Sequence, residues 1–188
     1  MIKVVRELSK LTREFDFVNC LETGTIRSYN EKHESTFHIS NIIGNNGKLK
    51  SIDIEQKSID ISKDICNNAK NVEWILSDSI KYLEEDKDWY HFVLLDSVNN
   101  PDHILNEFRL VVEKIYQGGV LMIDDAGVDF DKNPTDDGSP HSPRKAILVN
   151  ELLSNAGADY TILQGGHPGN QLFLKMSQDN LSRIKESL

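Results

Sequence analysis

The feature that most constrains this chain is a regular alternation of short apolar runs of strand length with longer stretches whose apolar residues fall at helical spacing. Strands joined through helices cannot be hairpin partners, so the pattern predicts parallel βαβ units in a sheet covered on both faces. Strands are expected at residues 17–21, 48–54, 72–76, 90–95 and 119–123, with helices at 34–43, 56–68, 79–85 and 101–116 between them. The 90–95 run is almost continuously apolar, as a strand buried on both faces must be. The 101–116 helix opens on Pro101, whose missing N–H costs nothing in a first turn. It carries Ile104, Leu105, Phe108, Val111, Val112 and Ile115 at helical spacing, with Gly118 and Gly119 expected to end it. A polar loop at 124–143 containing Pro134, Pro140 and Pro143 is long enough to be functional. A helix at 144–156 and two runs at 160–163 and 171–175, joined by 164–170, then predict a closing antiparallel hairpin. The expected fold is α/β: a three-layer, doubly wound, mostly parallel, Rossmann-like sheet with a C-terminal antiparallel hairpin. It is read as one domain over 1–188, with 1–16 as a helical lead-in.

Charge narrows the partners. Asp and Glu number 30 against 21 Lys and Arg, a net charge of −9, which repels a phosphate backbone and favours a small-molecule partner over nucleic acid. No stretch approaches the ~20 apolar residues needed to span a bilayer, and the first residues mix charged and apolar positions unlike a signal sequence. The expectation is a cytoplasmic protein with no membrane partner. Cys20 falls in an apparent strand and Cys66 in an apparent helix, without a CxxC or a histidine pattern, so both read as reduced core thiols.

In an open parallel sheet the ligand crevice lies beyond the carboxyl ends of the strands. Those positions are acidic here after every one of the parallel strands: Glu22, Asp53, Asp78, Asp96, and the pair Asp124 and Asp125. A single Asp at such a place commonly caps a helix or opens a turn, but its recurrence at each strand points to a site. Glu22-Thr23-Gly24-Thr25 forms the first strand-to-loop turn, where a glycine lets a ligand approach the backbone. Ile26 and Arg27 stand where GxGxxG would need its remaining spacing, which argues against a nicotinamide dehydrogenase. Asp53, followed by Ile54, is placed to accept from both hydroxyls of a ribose. Asp78 can accept from an adenine amino group while the Ser79 N–H donates to a ring nitrogen; equally, it can cap the next helix.

Together these residues resemble the class I S-adenosylmethionine-dependent methyltransferases, over about Val18 to Asp125 and again in the final hairpin. The resemblance implies that Glu22, Thr23, Gly24 and Thr25 hold the methionine part of the cofactor, Asp53 and Ile54 the ribose, and Asp78 and Ser79 the adenine. It implies that Ser35 and Thr36 open the first helix and meet the methionine carboxylate. The loop at 26–32 before that pair, with His33 after it, is longer than the family's.

Asp96, Asp124 and Asp125 further resemble the metal site of the catechol, caffeoyl-CoA and macrocin types of O-methyltransferase. Three hard oxygen ligands suit a divalent cation, magnesium or calcium, and Asp96 would adjoin the cofactor as well. Such an ion would lower the pKa of a substrate hydroxyl and orient it. Relatives often carry Lys or His three residues after the first Asp as a base; Asn99 stands there, and an amide accepts no proton at neutral pH. His33, His141 and His167, all on loops, are the remaining candidates, and Arg144 and Lys145 either meet an acidic substrate or begin a helix. The function expected is a metal-assisted O-methyltransferase acting on a small hydroxylated acceptor, with a homodimer compatible with it. The alternatives are a metal-independent N- or C-methyltransferase and a nucleotide-binding module of the same fold without turnover.

Overall fold

The structure, a computed structural model, describes residues 2–29, 35–124, 126, 145–163 and 171–188. The elements run α1 (Ile2–Glu14), β1 (Val18–Thr23), α2 (Ser35–Ile43), β2 (Gly47–Asp53), α3 (Gln56–Ile65), β3 (Val72–Leu76), α4 (Ser79–Glu85), β4 (Tyr90–Leu95), α5 (Pro101–Val111), β5 (Ile115–Ile123), α6 (Ile147–Asn155), β6 (Thr161–Leu163), β7 (Gln171–Lys175) and α7 (Gln178–Lys185). The strands form one sheet in the order β3-β2-β1-β4-β5-β7-β6. β1 to β5 are mutually parallel, while β7 runs antiparallel to β5 and to β6. This is the expected Rossmann-like architecture with its closing antiparallel pair.

Alternation along the strands assigns the two faces. Cys20, Leu49, Phe92, Leu94 and Met122 point to the side covered by Val4, Leu8 and Leu11 of α1 and Ile39 and Ile43 of α2. Leu21, Ile52, Val93, Leu121 and Leu172 point to the other side, where Leu83 of α4, Ile104 and Phe108 of α5, Val149 and Leu153 of α6 and Ile184 of α7 cover them. Ile61 and Cys66, at the end of α3, pack with Ile26. Both cysteines are free and buried. Among the described residues no helix is long and apolar enough to cross a membrane.

Several boundaries differ from the sequence expectation, each for a physical reason. β5 begins at Ile115 and not at residue 119, because Ile115 pairs with Tyr90 before the register shifts ahead of Phe92. α5 therefore ends at Val111, followed by a 3₁₀ turn, Val112–Lys114, and the two glycines lie inside a bent strand, with Gly118 at φ 86°. α3 stops at Ile65, short of residue 68, since Asn67 and Asn68 both turn left-handed at φ 51°. α6 begins at Ile147, later than residue 144. The chain does not close on a strand: α7 follows, capped by the Ser177 hydroxyl, which accepts the Asn180 N–H at 3.1 Å, with Asp179 in its first turn and Arg183 and Lys185 in its last.

The chain runs outward from β1 to β3 on one side, then returns to β4 on the other. The crevice of such a sheet lies at this reversal, beyond the carboxyl ends of β1 and β4.

Candidate functional site

The first turn is built around a close approach. Gly24 has φ 81°, donates its N–H to the Ile52 carbonyl at 2.8 Å, and lies so near the end of β4 that a Cβ there would stand 2.4 Å from the Asp96 carbonyl oxygen. No side chain fits. The Asp96 N–H in turn donates to the Thr23 carbonyl at 2.9 Å and lies 3.3 Å from the Thr23 hydroxyl oxygen, so the ends of β1 and β4 are laced together.

Around this turn a cavity of about 250 Å³ opens, lined by Gly24, Asp53, Ile54, Asp78, Ser79, Ser97, Val98 and His103 among others. Asp53 is held by the N–H groups of Thr25, at 3.1 Å to Oδ2, and of Glu55, at 2.8 Å to Oδ1. Each oxygen keeps a lone pair for a further donor. Ile54 and Val98 are exposed apolar side chains, 68% and 45% accessible, on the cavity wall. Asp78 is the cap of α4, accepting the Lys81 N–H at 3.0 Å, and Ser79 follows it into the wall.

Glu22, Thr25 and Ser35 are tied by hydrogen bonds to the elements around the turn. The Glu22 carboxylate is fully buried and accepts from the hydroxyls of Ser35, of Thr36 at 2.7 Å and of Ser51 at 3.0 Å, tying β1 to α2 and β2. Burial pushes its carboxyl up to about 7; the three hydroxyls pull the other way, and the Asp96 charge adds to the rise. The buried Thr25 hydroxyl lies 2.7 Å from that of Ser62 and 3.1 Å from that of Thr36. Thr23 is buried and donates its hydroxyl to Glu107 Oε2 at 3.1 Å.

His103 and Glu107 were missed by sequence reasoning. Both lie on α5, four residues apart and so on one face. His103 Nε2 lies 2.9 Å from the Ser79 hydroxyl oxygen and 3.3 Å from Glu107 Oε1, and hydrogen bonding to Glu107 raises the pKa of its ring against the opposing effect of burial. Glu107 is inaccessible to solvent, on the helix stripe that carries Ile104, Phe108 and Val111. An acid in the apolar stripe of an amphipathic helix was the available signal. Among the described residues, the buried side-chain atoms without a well-formed hydrogen bond are Glu107 Oε1 and the Ser97 hydroxyl, one beneath His103 and one on the cavity wall.

Just past the end of β4, Asp96 is about a quarter exposed and its Oδ1 accepts from the ammonium of Lys145, a side chain 2% accessible. Asp124 Oδ1 accepts from the Gln171 amide at 2.9 Å. Among the described residues no group of three His, Cys, Asp or Glu stands close enough to hold a metal ion. Asn99 is exposed in the turn before α5. Asp125, His33, His141, Arg144 and His167 lie outside the described residues.

No protein-family model and no curated protein matches the chain. Its fold recurs among solved structures. The O-methyltransferase TomG of Streptomyces achromogenes, involved in tomaymycin synthesis and solved with SAM, aligns over 92% of this chain and 79% of its own at 21% identity and TM-score 0.67. An O-methyltransferase of Bacillus cereus in complex with SAH aligns over 92% and 80% at 20% identity and TM-score 0.65. An rRNA methylase of Streptococcus thermophilus aligns over 93% and 94% at 12% identity and TM-score 0.64. At these identities the likeness establishes the fold and leaves the chemistry to the site.

Proposed function

We propose that this protein is an S-adenosylmethionine-dependent methyltransferase that modifies a hydroxyl of a small molecule. The observation that carries the reading is the cavity at the β1–β4 reversal, where a carboxylate fixed by two backbone donors stands beside two exposed aliphatic walls. Those features fit an adenosine. Asp53 would accept from the ribose hydroxyls, Ile54 and Val98 would face the flat base, and Asp78 with the Ser79 N–H would meet its polar edge. The Ser97 hydroxyl, without a partner among the described residues, fits a ligand that supplies one. The bound cofactor would supply an electrophilic methyl group on a sulfonium.

What the chain contributes is position and exclusion. Gly24 lets the end of β4 close against the first turn at the cavity wall, and Glu22, through Ser35 and Thr36, fixes where α2 begins and hence the wall on that side. O-methyltransferases stand among the structural neighbours, and the net charge of −9 opposes the nucleic acid that the rRNA methylase acts on. The described residues do not fit a divalent cation, since Asp96 is paired with an ammonium and Asp124 with an amide donor.

The test is incubation with S-adenosylmethionine labelled in its methyl group and a panel of phenols, catechols and sugar hydroxyls, with both products followed by mass spectrometry. Label in an acceptor oxygen with stoichiometric S-adenosylhomocysteine is the expected result. Label appearing only on nitrogen acceptors or RNA would replace the proposed acceptor class.

A further inference from the structure

We propose that Lys145 is the resident cation of the acceptor end, standing where a metal-assisted enzyme would bind a divalent ion, so that this site neither binds nor requires one. The inference takes its meaning for turnover from the methyl-transfer reading above, but its geometry stands without it.

Lys145 immediately precedes Ala146, the cap of α6, and both are buried, so the helix start is pressed against the carboxyl ends of the strands. A Lys side chain carries a flexible four-carbon stem and a strongly hydrated head that ordinarily reaches for water. This one is 2% accessible and its ammonium is on Asp96 Oδ1. Burying an ammonium is tolerated only against an opposite charge, so the pair neutralises the carboxylate that the sequence pattern would give to a metal. The second expected ligand is engaged as well, since Asp124 Oδ1 accepts the Gln171 amide from β7. A divalent ion entering here would have to displace both donors and then lie beside an ammonium of like charge.

Lys145 reaches Asp96, just past the end of β4, across a separation of 49 residues. A base or orienting cation at this site therefore comes from the start of α6, and the Asn99 position need not supply it. In this arrangement the Lys145 ammonium, its charge balanced by Asp96, is a hydrogen-bond donor beside the turn, and an acceptor oxygen is the chemistry it would orient.

The test uses the full chain and Mn²⁺ as the probe, its free ion followed by electron paramagnetic resonance, with S-adenosylhomocysteine affinity measured alongside. The parent is expected to leave Mn²⁺ free up to about 1 mM, the range of weak carboxylate sites. Lys145→Gln, which removes the ammonium charge beside Asp96, is expected to tighten Mn²⁺ binding about tenfold or more. Adding Asp96→Asn to that variant should abolish the gain. Saturable Mn²⁺ binding by the parent that Asp96→Asn removes would overturn the proposal, and so would a Lys145→Gln protein that binds Mn²⁺ no better than the parent. If Lys145→Gln does not fold, the parent titration decides alone. Absence of S-adenosylhomocysteine binding by the parent, with the Mn²⁺ results as expected, would sink the cofactor reading and leave this one standing.

Discussion

Replacing Glu22 by Gln perturbs the scaffold of the site without changing its shape. The carboxyl is fully buried among three hydroxyls, and its value stands at about 7 against an ordinary 4.5, chiefly because burial penalises the charge. At about 1.36 kcal/mol per pKa unit, that rise corresponds to about 3 kcal/mol of folding free energy. The sign follows from linkage: the folded value lies above the unfolded one, so the contribution of the protonated form is fully present below pH 4.5 and is lost as pH climbs through about 7. Gln cannot ionise, and hydroxyl rotors can reorient to its amide. The assay is urea unfolding of parent and Glu22→Gln at matched pH, where every other titrating group cancels in the difference. The stability of Glu22→Gln relative to the parent should rise by about 3 kcal/mol from about pH 4.5 to about pH 8. A difference that stays flat within about 1 kcal/mol would refute the reasoning and place the folded carboxyl near its ordinary value.

Gly24→Ala forces a left-handed backbone on a residue with a Cβ and drives that Cβ into the Asp96 carbonyl, so it should destabilise by about 2 kcal/mol or more in urea unfolding. A cost within about 0.5 kcal/mol, the range of a neutral surface change, would contradict the close approach. The imidazole of His103 should titrate above 6.5 by NMR, and Glu107→Gln should lower its midpoint, because Glu107 is the main cause of the rise. The stabilising contribution of the protonated ring is then present below 6.5 and lost as pH passes the folded value; an unchanged midpoint in Glu107→Gln would count against the pair. Burial pushes the Cys20 thiol far up, so a disulfide-forming thiol reagent should label it only as fast as the protein unfolds. Rapid native labelling mapped to Cys20 would contradict its burial.

Fold and site were not equally legible in the sequence. β4 announces itself because a strand buried on both faces leaves a near-continuous apolar run, and β3, β4 and β7 fall at their expected bounds. Ile115 was misassigned because it satisfies helical spacing with Val111 and Val112 while belonging to β5, an ambiguity that only the pairing with Tyr90 resolves. α7 carried its own signals in Ser177, Asp179 and Arg183, hidden behind the stronger strand pattern before it. The rule that ligands gather beyond the carboxyl ends of strands located Gly24, Asp53, Ile54, Asp78 and Ser79, all of which line one cavity. It locates positions and not directions, so it could not tell that Glu22 turns inward to α2 while Asp53 remains on the cavity wall. Nor could spacing reveal the Lys145–Asp96 pair, which joins residues 49 apart in sequence.

On the proposed function, the cavity at the β1–β4 reversal binds the adenosine of the cofactor through Asp53. Isothermal titration of S-adenosylhomocysteine into the parent and into Asp53→Ala tests it most directly. The account predicts a Kd of about 1–100 μM for the parent, the range of about −8 to −5 kcal/mol. For Asp53→Ala, which leaves the ribose hydroxyls without their charged acceptor, it predicts affinity weaker by about tenfold or more. No binding by the parent, or equal affinity in the two proteins, would contradict it.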